Sequence, residues 1–341
     1  MSLRRALAAP LSVAVALAVA PPAAADVVLR PVAEAAFPTN LAFLPDGGIL
    51  FTEKETGRVR LLRPDGRLRE VAELPVLGGA ERGLLGIALH PAFPEEPWVY
   101  LYLSDAADRR NRLVRLPLEG ERAGRPEVLL DLLPAVSGYH NGGDLAFGLD
   151  GMLYVVTGEA HEPARAQDPD DLGGKVLRLA PDGSVPADDP FPGSPVYSLG
   201  HRNSFGLCVN PGTGDVWETE NGPDRLDEVN LLRPGGNHGW PIALGDEGGP
   251  GFERPSLVFP EVIVPTGCAF TDPRTMWFGD FHGALHRVAL GGPGVDRVVS
   301  HRVVATAVAG ITDVAAAPDG SLYVATATGI LRVVRFGSAS A

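Results

Sequence analysis

The stretch "GDLAFGLDGMLYVVTGEA", residues 143–160, decides the fold. It reads as a short apolar strand, a turn at Leu149-Asp150-Gly151 and a second strand of alternating aromatic and β-branched residues. Asp-Gly between two apolar runs is a strong hairpin signal. The same pattern returns as "NLAFLPDGGILFTEKETGRVRLLRPDG" from residue 40, "GLLGIALHPAF" from 83 and "FGLCVNPGTGDVWETENGP" from 205. It returns again as "TGCAFTDPRTMWFGDFHGALHRVALGG" from 266 and "ITDVAAAPDGSLYVATATGILRVVRFG" from 311. A strand-turn-strand unit repeated every ~45 to 60 residues marks the blades of a propeller.

Six such units predict an all-β fold, a six-bladed β-propeller of four-stranded antiparallel blades. A sandwich would leave six similar turns unexplained. The segment "VVLRPVAEAAF", from Val27, has no blade of its own and is expected to close the ring by completing the sixth. No blade buries both of its faces alone, so residues 26–337 are expected to form a single domain, followed by a disordered tail at 338–341. With 42 Gly and 32 Pro in 341 residues, turns should be many and long helices few.

Upstream, Arg4 and Arg5 precede an apolar run from Ala6 to about Ala20, and Ala23 and Ala25 stand at the small-residue positions of a cleavage site. Residues 1–25 therefore read as a signal peptide, and the chain as exported, periplasmic or extracellular. The apolar run is short for a membrane span and no other segment approaches ~20 apolar residues, so the mature form is expected to lack one. A net charge of −13 disfavours nucleic acid or an anionic membrane as partner. The two cysteines, Cys208 and Cys268, either pair or are two buried thiols.

Three polar clusters carry the chemistry. "YHNGGD" puts His140 and Asn141 just before an inner strand, where an imidazole either caps a turn or serves as a base near neutral pH. "GHRNSFG" sets His201, Arg202 and Asn203 at the matching place in the next blade, so both clusters should face one central funnel. An arginine there suits an oxyanion or a carboxylate, or else an ion pair in the adjoining loop. "ENGPDRLDEVNLLRPGGNHGWP" packs Glu220, Asp224, Asp227 and Glu228 among Asn, Gly and Pro. That is a source of hard oxygen donors for calcium, or a solvated acidic loop. There is no nucleophile elbow, dinucleotide fingerprint, phosphate loop or His-Glu-x-x-His, which disfavours nicotinamide chemistry.

At these clusters the chain resembles the glucose/sorbosone dehydrogenase family, soluble quinoprotein aldose sugar dehydrogenases that hold pyrroloquinoline quinone (PQQ) on a six-bladed propeller. The resemblance rests on "ERGLLGIALHPAF", "HNGGDLAFGLDGMLYVVTGE", "GGKVLRLAPDGSVPADDPFPGSPVYSLGHRNSFGL" and the blade-four cluster, and covers nearly all of the mature chain. It implies that His140 is the base that takes the proton of the sugar's anomeric hydroxyl while hydride passes to the quinone. It implies that Arg202 and Asn203 contact the cofactor's oxygens and carboxylates. Gly222 and Pro223 match the carbonyl ligands of the cofactor's Ca2+. Glu228 matches a ligand of a second, structural calcium, with His238 at a carbonyl position and Asp227 beside it.

The chain departs from that pattern in four places, the first being Tyr139, which precedes His140 where some members of the family have Asp. "GITDV" sets Gly310 and Thr312 where the family carries arginines, His282 is the nearest match to a basic contact in blade five, and Glu81 stands where some relatives have glutamine. Glu81, Thr312 and His282 join the candidate cofactor contacts. The sequence therefore predicts an exported enzyme that oxidises an aldose sugar and passes electrons to an external acceptor. The alternative is a non-catalytic sugar- or calcium-binding propeller that has lost tight PQQ binding. A calcium-dependent lactonase would need side-chain carboxylates converging on one central ion, and no such set is legible.

Overall fold

The computed structural model describes residues 27–335; the leader expected at 1–25 and the tail at 338–341 lie outside the described residues. Six antiparallel sheets succeed one another along the chain and form the six blades of a propeller. Their innermost strands are Pro38–Phe43, Leu84–Leu89, Leu145–Phe147, Ser204–Val209, Pro265–Asp272 and Ile311–Ala316. Each innermost strand touches the next, and the last touches the first. Blade two carries a fifth short strand, Arg122–Ala123, beside its third.

The ring closes as expected. Val27–Glu34 pairs antiparallel with Gly329–Arg335 as the outermost strand of blade six. Among the described residues the helical elements are two 3-10 turns, Pro163–Gln167 and Gly245–Glu247. None is long and apolar enough to cross a membrane.

Strand alternation builds the core. In blade two's second strand, Val99, Leu101 and Leu103 pack on blade one, while Tyr100 and Tyr102 pack on blade three. Both faces are covered, which explains the unbroken apolar run "WVYLYLS". Six apolar clusters fill the six gaps between consecutive blades.

Cys208 and Cys268 are joined in a disulfide between the inner strands of blades four and five, 60 residues apart in sequence. Closing a loop of that length removes unfolded-state entropy worth about 2–4 kcal/mol. Reduction is expected to lower the melting temperature by several degrees, read in paired melts with and without a phosphine reductant.

His301, on the outer strand of blade five, sets its Nε2 2.8 Å from His286 Nδ1, and Phe259 packs edge-on against it. Burial and the neighbouring His286 hold His301 down at about 4. A folded pKa below the unfolded value means stability present above about pH 6.5 and lost as the pH falls from there through 4. A His301→Gln variant should lose less stability than the parent between pH 7 and pH 4, measured by urea unfolding.

Around the axis, buried polar groups stitch the blades together. Asn40 Oδ1 accepts from Ile87 N (2.9 Å), and Asn40 Nδ2 donates to Asp144 Oδ1 (3.0 Å). Leu207 N donates to Asp144 Oδ2 (2.7 Å), and Leu41 N to Asp313 Oδ2 (2.8 Å). Burial pushes the Asp144 carboxyl up to about 7. This ring is the floor on which the site stands.

Candidate active site

A cavity of about 320 Å³ opens above that floor, within the usual range for small-molecule sites. Phe37, Tyr139, Phe205 and Phe281 supply aromatic wall, and Lys54 and Glu81 line it with charge. Lys54 is held over the Phe37 ring, its ammonium donating to Glu55 and to the Ala80 carbonyl (2.7 Å).

His140 sits at the edge of this cavity, flanked by Tyr139 and Gly142, which line it. The hairpin register that pairs Leu145 with Val155, carried back five residues, sets His140 opposite Ala160. Ala160 N indeed donates to His140 O (3.0 Å). Glu159 is thereby brought to the imidazole, with Oε1 2.6 Å from His140 Nδ1. A carboxylate only accepts, so Nδ1 carries the proton, and Nε2, which has no hydrogen-bond partner among the described residues, keeps a free lone pair. The His161 ring stands edge-on 4.2 Å away, itself stacked on Tyr139.

The backbone around His140 is unusual. His140 (φ 56°), Ala160 (φ 55°) and His161 (φ 63°) all occupy the left-handed region. Such residues cost of order 1–3 kcal/mol each and gather where geometry is fixed for a purpose. The two glycines that follow His140 are needed for close approach: a Cβ on Gly142 would lie 2.7 Å from the Val156 carbonyl oxygen.

Glu81 ties three blades together. Its Oε2 accepts from His140 N (2.6 Å) and from Asn203 Nδ2 (3.1 Å), while Asn203 Oδ1 accepts from Gly142 N (3.2 Å). Burial pushes the Glu81 carboxyl up. Arg202 donates its backbone N–H to Glu220 and its Nη1 to the carbonyls of Asn221 (3.0 Å) and Gly222 (2.9 Å), with Trp240 against the guanidinium. Its Nε is buried without a partner. His140, Arg202, Asn203 and the Gly222 bend are thus brought together beside one cavity.

The acidic cluster is mostly interior. Asp227 is fully buried and shapes the bend, its Oδ1 accepting from Gly222 N (2.7 Å) and its Oδ2 from Ile263 N and Val264 N. Pro223 and Asp224 are exposed. Glu228 is 9% exposed, accepts from Gly245 N (2.8 Å) and Asn230 Nδ2 (3.1 Å), and is raised to about 8 by burial and by Glu220. His201 lies 2.6 Å from Glu218 and 3.2 Å from Glu220. Burial opposes its charge, but the two carboxylates raise it to about 10. His238 is stacked on His201, and burial with that neighbouring charge lowers it to about 3.

Thr312 lines the cavity, with its hydroxyl donating to Pro38 O (2.6 Å). Gly310 leaves no room for a side chain, because a Cβ there would lie 2.5 Å from the Phe281 carbonyl oxygen. His282 is exposed and does not line the cavity; its neighbour Phe281 does. Sequence reasoning missed Glu159, His161 and Lys54. The signal for Glu159 was present: His140 and Glu159 are 19 residues apart, as are His201 and Glu220, so successive blades repeat one His-carboxylate pairing.

The family model described as glucose / sorbosone dehydrogenase matches residues 35–334. A solved structure from Thermus thermophilus, described as an oxidoreductase (glucose dehydrogenase), is 40% identical, with a TM-score of 0.85, covering 90% of this chain and all of that one. The PQQ-bound aldose sugar dehydrogenase of Streptomyces coelicolor is 35% identical, with a TM-score of 0.83, covering 92% of this chain and 99% of that one. The aldose sugar dehydrogenase YliI of Escherichia coli is 30% identical over 85% of this chain and 86% of its own length.

Proposed function

Because the chain belongs to the glucose/sorbosone dehydrogenase family, we propose that it is an exported PQQ-dependent dehydrogenase that oxidises the anomeric hydroxyl of aldose sugars to lactones. The observation that carries this reading is the His140–Glu159 pair, with Nε2 free, tied through Glu81 to Asn203. Oxidation of a hemiacetal to a lactone removes one proton and one hydride equivalent. His140 Nε2 is the group placed to take the proton, and Glu159 holds the ring in the tautomer that accepts it and stabilises the imidazolium that results.

The residues present suit a flat, anionic cofactor. The cavity has aromatic walls, Lys54 is a cation on its lining, and Arg202 Nε, Asn141 Nδ2 and Glu159 Oε2 are buried without partners. Arg202, Asn203, Lys54 and Thr312 are the proposed contacts, with Glu81 holding Asn203 in place. His282, exposed off the cavity lining, would contribute only from the rim. The bend at Asn221 and Gly222 already presents two carbonyls to one cation, the Arg202 guanidinium, as a Ca2+ site made of main-chain oxygens requires. Gly222 and Pro223 are its proposed ligands, and Glu228 with the main chain at His238 those of a second calcium. Asp227, whose oxygens are taken by the N–H groups of Gly222, Ile263 and Val264 on the opposite face of the strand, does not join them. When bound, PQQ would supply the two-electron acceptor and Ca2+ a Lewis acid at its quinone oxygens.

Export is supported by the leader-like first residues and by the Cys208–Cys268 disulfide, which belongs to an oxidising compartment. Electrons then leave to an external acceptor. The test is dye reduction by a panel of aldoses after adding PQQ and Ca2+. Aldose-dependent turnover supports the reading, and silence at saturating cofactor refutes it. Gly310, closed to any side chain, favours the second reading of a propeller that binds sugar without turnover; that reading predicts no PQQ binding at all.

A further inference from the structure

We infer that His201, Glu218 and His238 form a binding site for a divalent metal of the zinc class, buried behind Arg202 and separate from the axial cavity. One ligand atom from each lies within 4.8 Å of the others. Bonds of about 2.0–2.2 Å to a tetrahedral ion set ligand atoms about 3.5 Å apart, so His238 would move in while His201 Nδ1 and Glu218, 2.6 Å apart in their hydrogen bond, would separate around the ion, shifts within reach of side-chain rotation.

The independent observation is His238. It is 8% exposed, and neither ring nitrogen has a hydrogen-bond partner. Buried polar atoms are almost always paired, and an imidazole with both nitrogens idle beside a carboxylate is a ligand set short of its ion. Charge points the same way. Glu218, Glu220 and Glu228 surround one amide, Asn230 Nδ2, at 3.1 to 3.4 Å, and their cationic neighbour is His201. Arg202 Nη1 turns to the carbonyls of Asn221 and Gly222 rather than to these carboxylates. A divalent ion that took the place of the His201 proton would add positive charge beside Glu218 and Glu220 and give His238 its partner.

The donor set selects the ion. Calcium takes oxygens, whereas two imidazoles and a carboxylate suit Zn2+ or Co2+, with Glu220, 3.2 Å from His201 Nδ1, as a further oxygen and Ser198 Oγ, 2.8 Å from Nε2, steadying the far side of the ring. His201 precedes Arg202, and His238 lies two residues before Trp240, which packs on the guanidinium. A metal here would pin both sides of Arg202.

The test is calorimetric titration of the chelator-stripped full chain with Zn2+, with Co2+ as an optical probe. The expected result is one equivalent per chain, undisturbed by millimolar Ca2+, with the strong visible bands of four-coordinate Co2+ and a melting temperature higher by at least about 4 °C. His238→Phe keeps an aromatic ring on His201 and should lose at least 100-fold in Zn2+ affinity, while His301→Gln, at the remote histidine pair, should lose none. No stoichiometric binding, equal affinity in His238→Phe, or displacement by Ca2+ would overturn the inference. If His238→Phe does not fold, zinc-edge absorption of the parent protein decides: two imidazoles and at least one oxygen support the site, and any other shell refutes it.

Discussion

Replacing His140 with alanine is expected to lower kcat for aldose oxidation by about 10²- to 10⁴-fold, the usual contribution of a positioned general base. Glu81 and Asn203, which the His140 backbone N–H helps to hold, keep their places because that N–H survives the substitution. PQQ affinity should therefore change little while turnover collapses. The left-handed backbone at residue 140 makes alanine slightly strained there, so stability is to be measured alongside. Glu159→Gln is a milder probe, since an amide can present either its oxygen or its nitrogen to Nδ1 and the tautomer is no longer fixed. Its kcat should fall less than that of His140→Ala. A His140→Ala enzyme that turns over within a few-fold of the parent would remove the base from the account.

Replacing Arg202 with alanine is the second large effect. A charge-assisted hydrogen bond contributes about 1.5–3 kcal/mol, and 1.4 kcal/mol is tenfold, so the loss of one or two such bonds should weaken PQQ binding by about 10- to 10⁴-fold. The expected loss lies toward the upper end because Gly310 and Thr312 offer no guanidinium to share the cofactor's negative charge. Among the described residues that line the cavity, Lys54 is the cation. The double replacement of Arg202 and Lys54 should abolish measurable binding, read by quenching of the protein's tryptophan fluorescence during PQQ titration.

The propeller was legible because its signal is local and repeated: six strand-turn-strand units, three of them turning on Asp-Gly at 46–47, 150–151 and 319–320, leave one architecture that accounts for all of them. Blade closure by Val27–Glu34 followed from the same count. The site was legible as far as residues adjacent in sequence carried it, which is why His140, Arg202 and Asn203 could be placed at one mouth. Contacts across the ring were not. Nothing local to "AERGLLG" shows that Glu81 accepts from blades three and four at once, or that Lys54 of blade one reaches the cavity. His282 illustrates the converse limit: its sequence position beside Phe281 is right, but the turn leaves it on the surface while Phe281 takes the cavity wall. The acidic run in blade four invited a solvated reading, whereas Glu220, Asp227 and Glu228 are buried by strands and loops distant in the chain.

The most direct test is an anaerobic single turnover. Protein loaded with PQQ and Ca2+ is mixed with excess aldose, without any external acceptor, and the quinone absorbance is recorded. The account predicts reduction of one equivalent of quinone per chain, fast in the parent and nearly absent in His140→Ala. A parent protein that binds the cofactor yet leaves it oxidised at saturating aldose would contradict it.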